Sequence, residues 1–340
     1  MRLIAHFDDL DLPVAGVLVG GRVLTLDLLA EQAGLREELA LLDPRGLLAE
    51  DEDLAETRAA LERALASGAA GVPAASLRPA PPLEPGKIVC VGQNYAGHVR
   101  EQGLPLPTRP MLFAKFANAV VGDRDPVIHP ATTHALDLEA ELAVVIGRRA
   151  RRVTPAEALA HVAAYTTAND ISARDLQGSP PALREGERGD GQWLRAKGSD
   201  TFLPLGPCLV TADELGDPGN LAVRGFHTQA AGPTGGREIQ VQDGRTSDMI
   251  FPVADLIAFI SQSITLEPGD LVITGTPSGV GVFREPPIFL APGDVVRVEV
   301  EGIGSLTNPV VDAEGHAPDG SPAAHLLAER YTGGRAPDRA

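Results

Sequence analysis

Asp137-Leu138-Glu139-Ala140-Glu141-Leu142-Ala143-Val144-Val145-Ile146-Gly147 is the stretch whose reading decides the fold. Acidic and apolar residues alternate and then give way to an unbroken apolar run, which is the pattern of a strand entering a core. On a strand, Glu139 and Glu141 point to one face with Asp137 beside them, and Leu138, Ala140 and Leu142 point to the other. Carboxylates gathered on one face repel each other and are costly to bury. A positive group is expected among them, and a hard divalent cation such as Mg²⁺ or Mn²⁺ suits oxygen ligands. The alternative is an edge strand with its acids in water.

Three further stretches bear on that choice. In Asn169-Asp170-Ile171-Ser172-Ala173-Arg174-Asp175-Leu176-Gln177, Asp170 can complete a three-carboxylate site. Arg174 lies one turn on and can clamp a substrate carboxylate. The plain alternative is a polar turn with an Asp–Arg pair. In Gly92-Gln93-Asn94-Tyr95-Ala96-Gly97-His98-Val99-Arg100-Glu101, His98 and Glu101 are three apart and share a face if the segment is helical. A carboxylate bonded to an imidazole makes a general base for water, whereas a lone pair of this kind is usually a surface accident. Thr274-Gly275-Thr276-Pro277-Ser278-Gly279-Val280-Gly281 is neither a phosphate loop nor a nucleophile elbow. It can present backbone N–H groups and the Thr276 hydroxyl to an anion, or be only a tight turn.

Short β-rich runs continue from Lys87 to Val311 without regular βαβ alternation, so a mainly β, α+β fold of the mixed roll or sandwich kind is expected. TPAEALAHVAAYT, from Thr154 with Pro155 in the first turn, and VADLIAFISQSI read as its helices. The first 30 residues read as strands (RLIAHF, VAGVLVG, RVLTLD), and residues 50–68 as a helix ended by Gly68. VPAASLRPAPPLEPG reads as a linker. The expected division is a small N-terminal domain and linker over 1–80, a catalytic domain over 81–312, and a tail over 313–340 with at most a short helix around His325.

The 340 residues are 44% hydrophobic and 22% charged, as in a soluble folded protein. A net charge of −17 disfavours nucleic acid and anionic membranes. Neither a secretory signal nor a run of roughly 20 apolar residues is found. Cys90 and Cys208 sit in apolar runs and read as buried reduced thiols, so a cytoplasmic location is expected. Only Lys87, Lys115 and Lys197 among the 29 basic residues are lysine, which singles out each of them.

In order along the chain, KIVCVGQNYAGHVRE, LFAKFANAVVG, DLEAELAVVIG, AYTTANDISARDLQ, GQWLRAKGSDTFLPLGP, GRTSDMIF, LEPGDLVITGTPSGVG and GDVVRVEVEGIGSLTN resemble the fumarylacetoacetate hydrolase family over roughly residues 87–308. The nearest likeness is to bacterial acylpyruvases and 2-hydroxyhepta-2,4-diene-1,7-dioate isomerases. The resemblance implies a β-sandwich roll, a homodimer, and one Mg²⁺ or Mn²⁺ per active site on Glu139, Glu141 and Asp170. It makes His98 and Glu101 a catalytic dyad on a closing helix and gives Lys115 and Lys197 to substrate oxygens or developing negative charge. Arg174, Gln177 and Thr276 would line the pocket. The expected reaction is hydrolysis of a C–C bond in a 3-acylpyruvate, with water deprotonated by His98 and pyruvate leaving as its enolate. Decarboxylation or isomerisation of 2-oxo or 2-hydroxy-dienoic diacids in aromatic catabolism is the alternative, and a non-catalytic metal or carboxylate binder is the second. Two polar stretches, GSPPALREGERGDG and FHTQAAGPTGGREIQ, depart from the family pattern, and the first lies near the pocket by sequence.

Overall fold

A computed structural model describes residues 1–189, 191–231 and 236–316. The expected helix around His325, and the tail from residue 317 onward, lie outside the described residues. The strands that matter are β1 (Arg2–Phe7), β2 (Pro13–Val19), β3 (Arg22–Thr25), β4 (Val72–Pro73), β5 (Ile88–Gly92), β6 (Met111–Lys115), β7 (Ala140–Ile146), β8 (Val162–Asn169), β9 (Leu203–Thr211), β10 (Ala222–Thr228), β11 (Glu238–Arg245), β12 (Leu271–Ile273), β13 (Val295–Val300) and β14 (Gly304–Val311). The helices are α1 (Leu26–Ala33), α2 (Pro44–Glu50), α3 (Ala55–Ala66), α4 (Ala96–Glu101), α5 (Trp193–Gly198) and α6 (Val253–Ser261).

Among the described residues, the large sheet runs β4-β3-β2-β1-β9-β8-β7-β12-β5-β6, with Pro79–Ala80 against β1 and Val120–Val121 against β9. A smaller sheet runs β11-β10-β13-β14 and ends on Val127–Ile128. This is the expected mixed, strand-dominated fold. The carboxylate strand β7 lies in the middle of the large sheet, between β8 and β12, and every residue in it is buried. The solvated edge strand is therefore excluded.

Register brings the functional segments to one end of the sheet. β7 is antiparallel to β8, so Ala140 and Glu141 stand opposite Asn169 and Ala168. β12 is antiparallel to β7 and parallel to β5. The entry of β7 therefore sits beside the exits of β8, β12 and β5. Those exits lead to Asp170, to the Thr274–Gly281 loop and to α4.

Three expectations are corrected. TPAEALAHVAAYT is not one helix. A capping box of Thr154 and Glu157 starts a single turn, Pro155–Ala158, which tightens over Leu159–His161 and then becomes β8. β8 is buried on both faces and so has a nearly continuous apolar sequence, which periodicity cannot separate from a buried helix. RVLTLD is a strand only to Thr25, where α1 begins. The N-terminal segment is also richer in helix than expected. α1 and α2 precede α3, whose start is held by the Asp51 carboxylate accepting from Glu56 N, Thr57 N and the Thr57 hydroxyl. β1 pairs with β9, so residues 1–80 extend the catalytic sheet, and one apolar cluster runs from Leu3 to Val310. No helix among the described residues is long and apolar enough to cross a membrane.

Leu142 is fully buried in β7. Leu142→Ala is expected to lower unfolding stability by about 3 kcal/mol, read as a shifted urea midpoint with an unchanged slope. A loss below about 1 kcal/mol would mean that β7 is not packed on both faces.

Candidate active site

Glu139, Glu141 and Asp170 are all buried, and they present ligand atoms within 4.8 Å of one another. Their surroundings are cationic. Lys197 Nζ lies 2.7 Å from Glu139 Oε2 and 2.8 Å from Asp170 Oδ2. Lys115 Nζ lies 2.7 Å from Asp170 Oδ1. Arg174 places Nη2 2.7 Å from Glu139 Oε1 and Nε 2.9 Å from Asp137 Oδ2. Burial disfavours ionisation of Glu139, but Lys197 and Arg174 outweigh it and hold its carboxyl well below the usual range. Glu141 has no such partner. Burial, then Asp170 and Glu139, push its carboxyl well above the usual range. Three carboxylates in a cluster, one of them without an ion-pair partner among the described residues, fit a hard divalent cation.

A cavity of about 300 Å³ opens onto this cluster. Glu139, Glu141, Arg174, Gln177, Lys197, Thr276 and His98 line it. α4 supplies His98, whose Nδ1 is 2.6 Å from Glu101 Oε1. A carboxylate can only accept, so Nδ1 carries the proton and Nε2 is the nitrogen offered to the cavity. The other Glu101 oxygen accepts from Gly279 N at 2.8 Å.

The Thr274–Gly281 loop does present its amides to anions, but the anions are the site's own carboxylates. Gly275 N donates to Glu141, Gly279 N to Glu101, and Gly281 N and Val282 N to Asp137. Gly279 has φ +105°, and a Cβ there would lie 2.2 Å from Val241 O, so the loop can close only with glycine.

The residues around the cluster are held by the following partners. Asp137 stands outside the metal group. It lies in a two-residue strand against Ser172 and holds Arg174 and the loop. Arg174 lines the cavity but is engaged by Asp137 and Glu139, and donates to Gln177 Oε1 at 3.1 Å. Lys115 sits behind Asp170, donating to Ile171 O and Phe202 O at 3.1 and 2.7 Å and also to Lys197 O. It is not among the cavity's lining residues. Burial lowers its pKa, with Asp170 opposing. The Thr276 hydroxyl donates to Ala140 O and accepts from Gln242 Nε2.

Gln242 was not singled out from the sequence. It is buried on β11, accepts from Ala140 N, and donates to Thr276 Oγ1 and Pro277 O, so it ties the carboxylate strand to the loop. Nothing in its local sequence signals this. Asn169 Oδ1 likewise accepts from Glu139 N. Cys90 and Cys208 are free and buried, and burial pushes both thiols up, which fits inert thiols rather than nucleophiles.

The raised Glu141 carboxyl favours the protonated form in the folded chain. Its contribution to stability is complete below the ordinary carboxyl range and is lost as pH rises through the raised value. Glu139 has the opposite sign, with stability present above the ordinary range and lost as pH falls through its depressed value. In EDTA-treated protein, Glu141→Gln is therefore expected to gain Tm over wild type as pH climbs from about 5 to about 8, and Mg²⁺ is expected to narrow the gap. A gap that does not change with pH would mean that Glu141 is not held protonated.

The chain matches the fumarylacetoacetate (FAA) hydrolase C-terminal family over residues 87–311. It is 47% identical over 232 residues to the Homo sapiens protein named oxaloacetate tautomerase FAHD2A, mitochondrial, with 68% of each chain covered. Among solved structures, 2-hydroxyhepta-2,4-diene-1,7-dioate isomerase from Mycobacterium marinum superposes with TM-score 0.65 at 34% identity, over 92% of this chain and 98% of that one. Maleylpyruvate hydrolase from Sphingobium sp. SYK-6 gives TM-score 0.69 at 29% identity, over 92% and 100%. Sequence, fold and the clustered carboxylates agree, and the chain belongs to the fumarylacetoacetate hydrolase family of enzymes.

Proposed function

We propose that this enzyme moves a proton at the carbon beside the oxo group of a small 2-oxo acid, interconverting its keto and enol forms with a divalent cation as cofactor. The observation that carries the reading is the His98–Glu101 pair, which shares a cavity with the carboxylates Glu139 and Glu141. A cation held by Glu139, Glu141 and Asp170 would act as a Lewis acid on the 2-oxo group and so acidify the neighbouring C–H. Glu101 holds the proton on Nδ1, so Nε2 takes the carbon-bound proton of the keto form and passes it to the enolate oxygen, and the enol returns to the keto form by the reverse transfer. Gly279 N fixes Glu101 in turn. Lys197 bridges Glu139 and Asp170, and its charge helps hold Glu139 ionised for the metal. Oxaloacetate is the 2-oxo acid that the FAHD2A name supplies.

Hydrolysis of a 3-acylpyruvate is the second reading, favoured by the likeness to a maleylpyruvate hydrolase. It needs the same base, with water in place of carbon as the proton donor. The expected homodimer stays within the proposal: Phe116 and Leu194 are exposed beside the edge strand β6. So does the cytoplasmic setting, with which two free buried thiols agree.

Enol absorbance of oxaloacetate and of acetylpyruvate, followed with EDTA, Mg²⁺ or Mn²⁺ and corrected for metal alone, tests the reading. Metal-dependent loss of the oxaloacetate enol without pyruvate release is expected. Pyruvate and acetate from acetylpyruvate would move the assignment to hydrolysis. His98→Ala should lower kcat by about 100- to 10,000-fold while Mn²⁺ affinity is retained. Turnover near wild type in that variant would remove His98 as the base.

A further inference from the structure

One wall of the cavity is the start of a loop: Gly178, Ser179 and Pro180 line it. They open the polar stretch that departs from the family pattern. The loop leaves the short helix Arg174–Gln177 at Gly178, which is left-handed with φ +87°. It folds back on itself at Gly189, where a Cβ would lie 2.8 Å from Gly178 Cα. The loop also sets a cavity side chain. Gln177 Oε1 accepts from Ser179 Oγ at 3.2 Å and from Arg174 Nη1 at 3.1 Å. Its carbonyl is thereby filled, and its N–H groups are the part that remains for the cavity.

The loop is fastened at Ala182. The Ala182 side chain is buried with Ala135, Val280 and Val282. Phe283 packs on the same cluster and meets the His98 ring at 6.2 Å. The Ala182 carbonyl lies 3.0 Å from His134 Nε2. The other nitrogen of that ring, Nδ1, lies 3.0 Å from Asp175 Oδ2. Asp175 is buried, and its carboxylate also accepts from the Thr133 hydroxyl and from His134 N. Both partners of the ring are acceptors, whereas a neutral imidazole carries a single N–H. Only the imidazolium makes both bonds. Glu187, on the loop, adds a second carboxylate 3.8 Å from Nε2. Arg184, Glu185 and Arg188 of the loop are exposed. His129, whose pKa burial lowers, also feels the Asp175 charge.

We infer that His134 is a positioning residue of this active site: as an imidazolium it ties the loop at Ala182 to Asp175, and so holds the wall Gly178–Pro180 and the Gln177 amide in place for substrate. The anchored loop binds one proton more than the loosened loop, so raising the pH loosens it. The bond to the carboxylate is charge-assisted and keeps its proton longer, so the bond to Ala182 O is the one lost. The anchor itself rests on the cavity, and its activity readout rests on the enolising reading.

Proteolysis and kinetics test the anchor separately, on the full chain with Mg²⁺ present. Arg184 and Arg188 are exposed trypsin sites within the loop, and nicking there follows the loosened population. The His134 side chain is 25% exposed, so its replacement puts folding at little risk. His134→Ala is expected to be nicked in the loop about tenfold faster than wild type. It should also raise KM for oxaloacetate several-fold while kcat stays within about twofold. His134→Gln, whose amide can donate to Ala182 O, should recover part of the protection. The ratio of nicking in wild type to nicking in His134→Gln cancels trypsin's own response to pH. It should rise several-fold from about pH 6 to about pH 8.5. Equal nicking in wild type and His134→Ala, a ratio that does not move with pH, or a fall in kcat with KM unchanged overturns the inference. If oxaloacetate is not turned over while the nicking difference and its pH response persist, the enolising reading fails and the anchor stands.

Discussion

Asp170 is fully buried and meets two ammonium groups, Lys115 at 2.7 Å and Lys197 at 2.8 Å. Lys197 continues to Glu139, and Glu139 to Arg174 and then Asp137. A chain of ion pairs this deep in a protein is costly to assemble and costlier to break, because each lost partner strands a charge away from water. Each member is therefore held from a different element: Asp170 after β8, Glu139 before β7, Lys115 at the end of β6, Lys197 on α5, and Arg174 in the short helix that follows Ser172. The fold must bring four separated segments, at 115, 137–139, 170–174 and 197, to one place. The strand order β8-β7-β12-β5-β6 does this by putting the right ends side by side.

Backbone amides finish what the side chains leave open. The loop after β12 gives N–H groups to Glu141, Glu101 and Asp137, so one segment fixes a carboxylate of the candidate metal site, the partner of the proposed base and the anchor of Arg174. Gln242 on β11 braces that loop against Ala140. The smaller sheet thereby contributes to the site without placing a reacting group in it. Glycine recurs in the loop because the chain must pass within contact distance of Val241 and Ile288 while its amides turn inward.

Legibility in the sequence follows the range of the interaction. Glu141 lies at the start of β7 two residues after Glu139, and His98 and Glu101 share a helical turn, so spacing alone places each pair. Asp170 could be offered as a third carboxylate from its own segment, but the lysines could be gathered to it only through resemblance, because the contacts that join them span tens of residues and leave no periodic trace. Lys115 and Lys197 stood out by their rarity, yet the two roles differ: Lys197 lines the cavity and Lys115 sits behind Asp170, a distinction that rests on which carbonyls surround the ammonium. Gln242 was invisible because one amide among many polar residues carries no local signal. β8 was misread because a strand buried on both faces loses the alternation that marks half-buried strands.

Among the described residues, four carboxylates (Asp137, Glu139, Glu141 and Asp170) share this cluster with three cations (Arg174, Lys115 and Lys197). Glu141 is the member without an ion-pair partner among the described residues, and burial with its acidic neighbours favours its protonated form beside the cavity. A divalent cation would take the place of that proton, and its second charge would leave a surplus that an enolate can neutralise. Tautomerisation and C–C hydrolysis draw on the same surplus, since both develop negative charge on a 2-oxo acid. The charge cluster supports either outcome equally. The choice between them, and between one 2-oxo acid and another, therefore lies outside the charge cluster, with the rest of the cavity's lining.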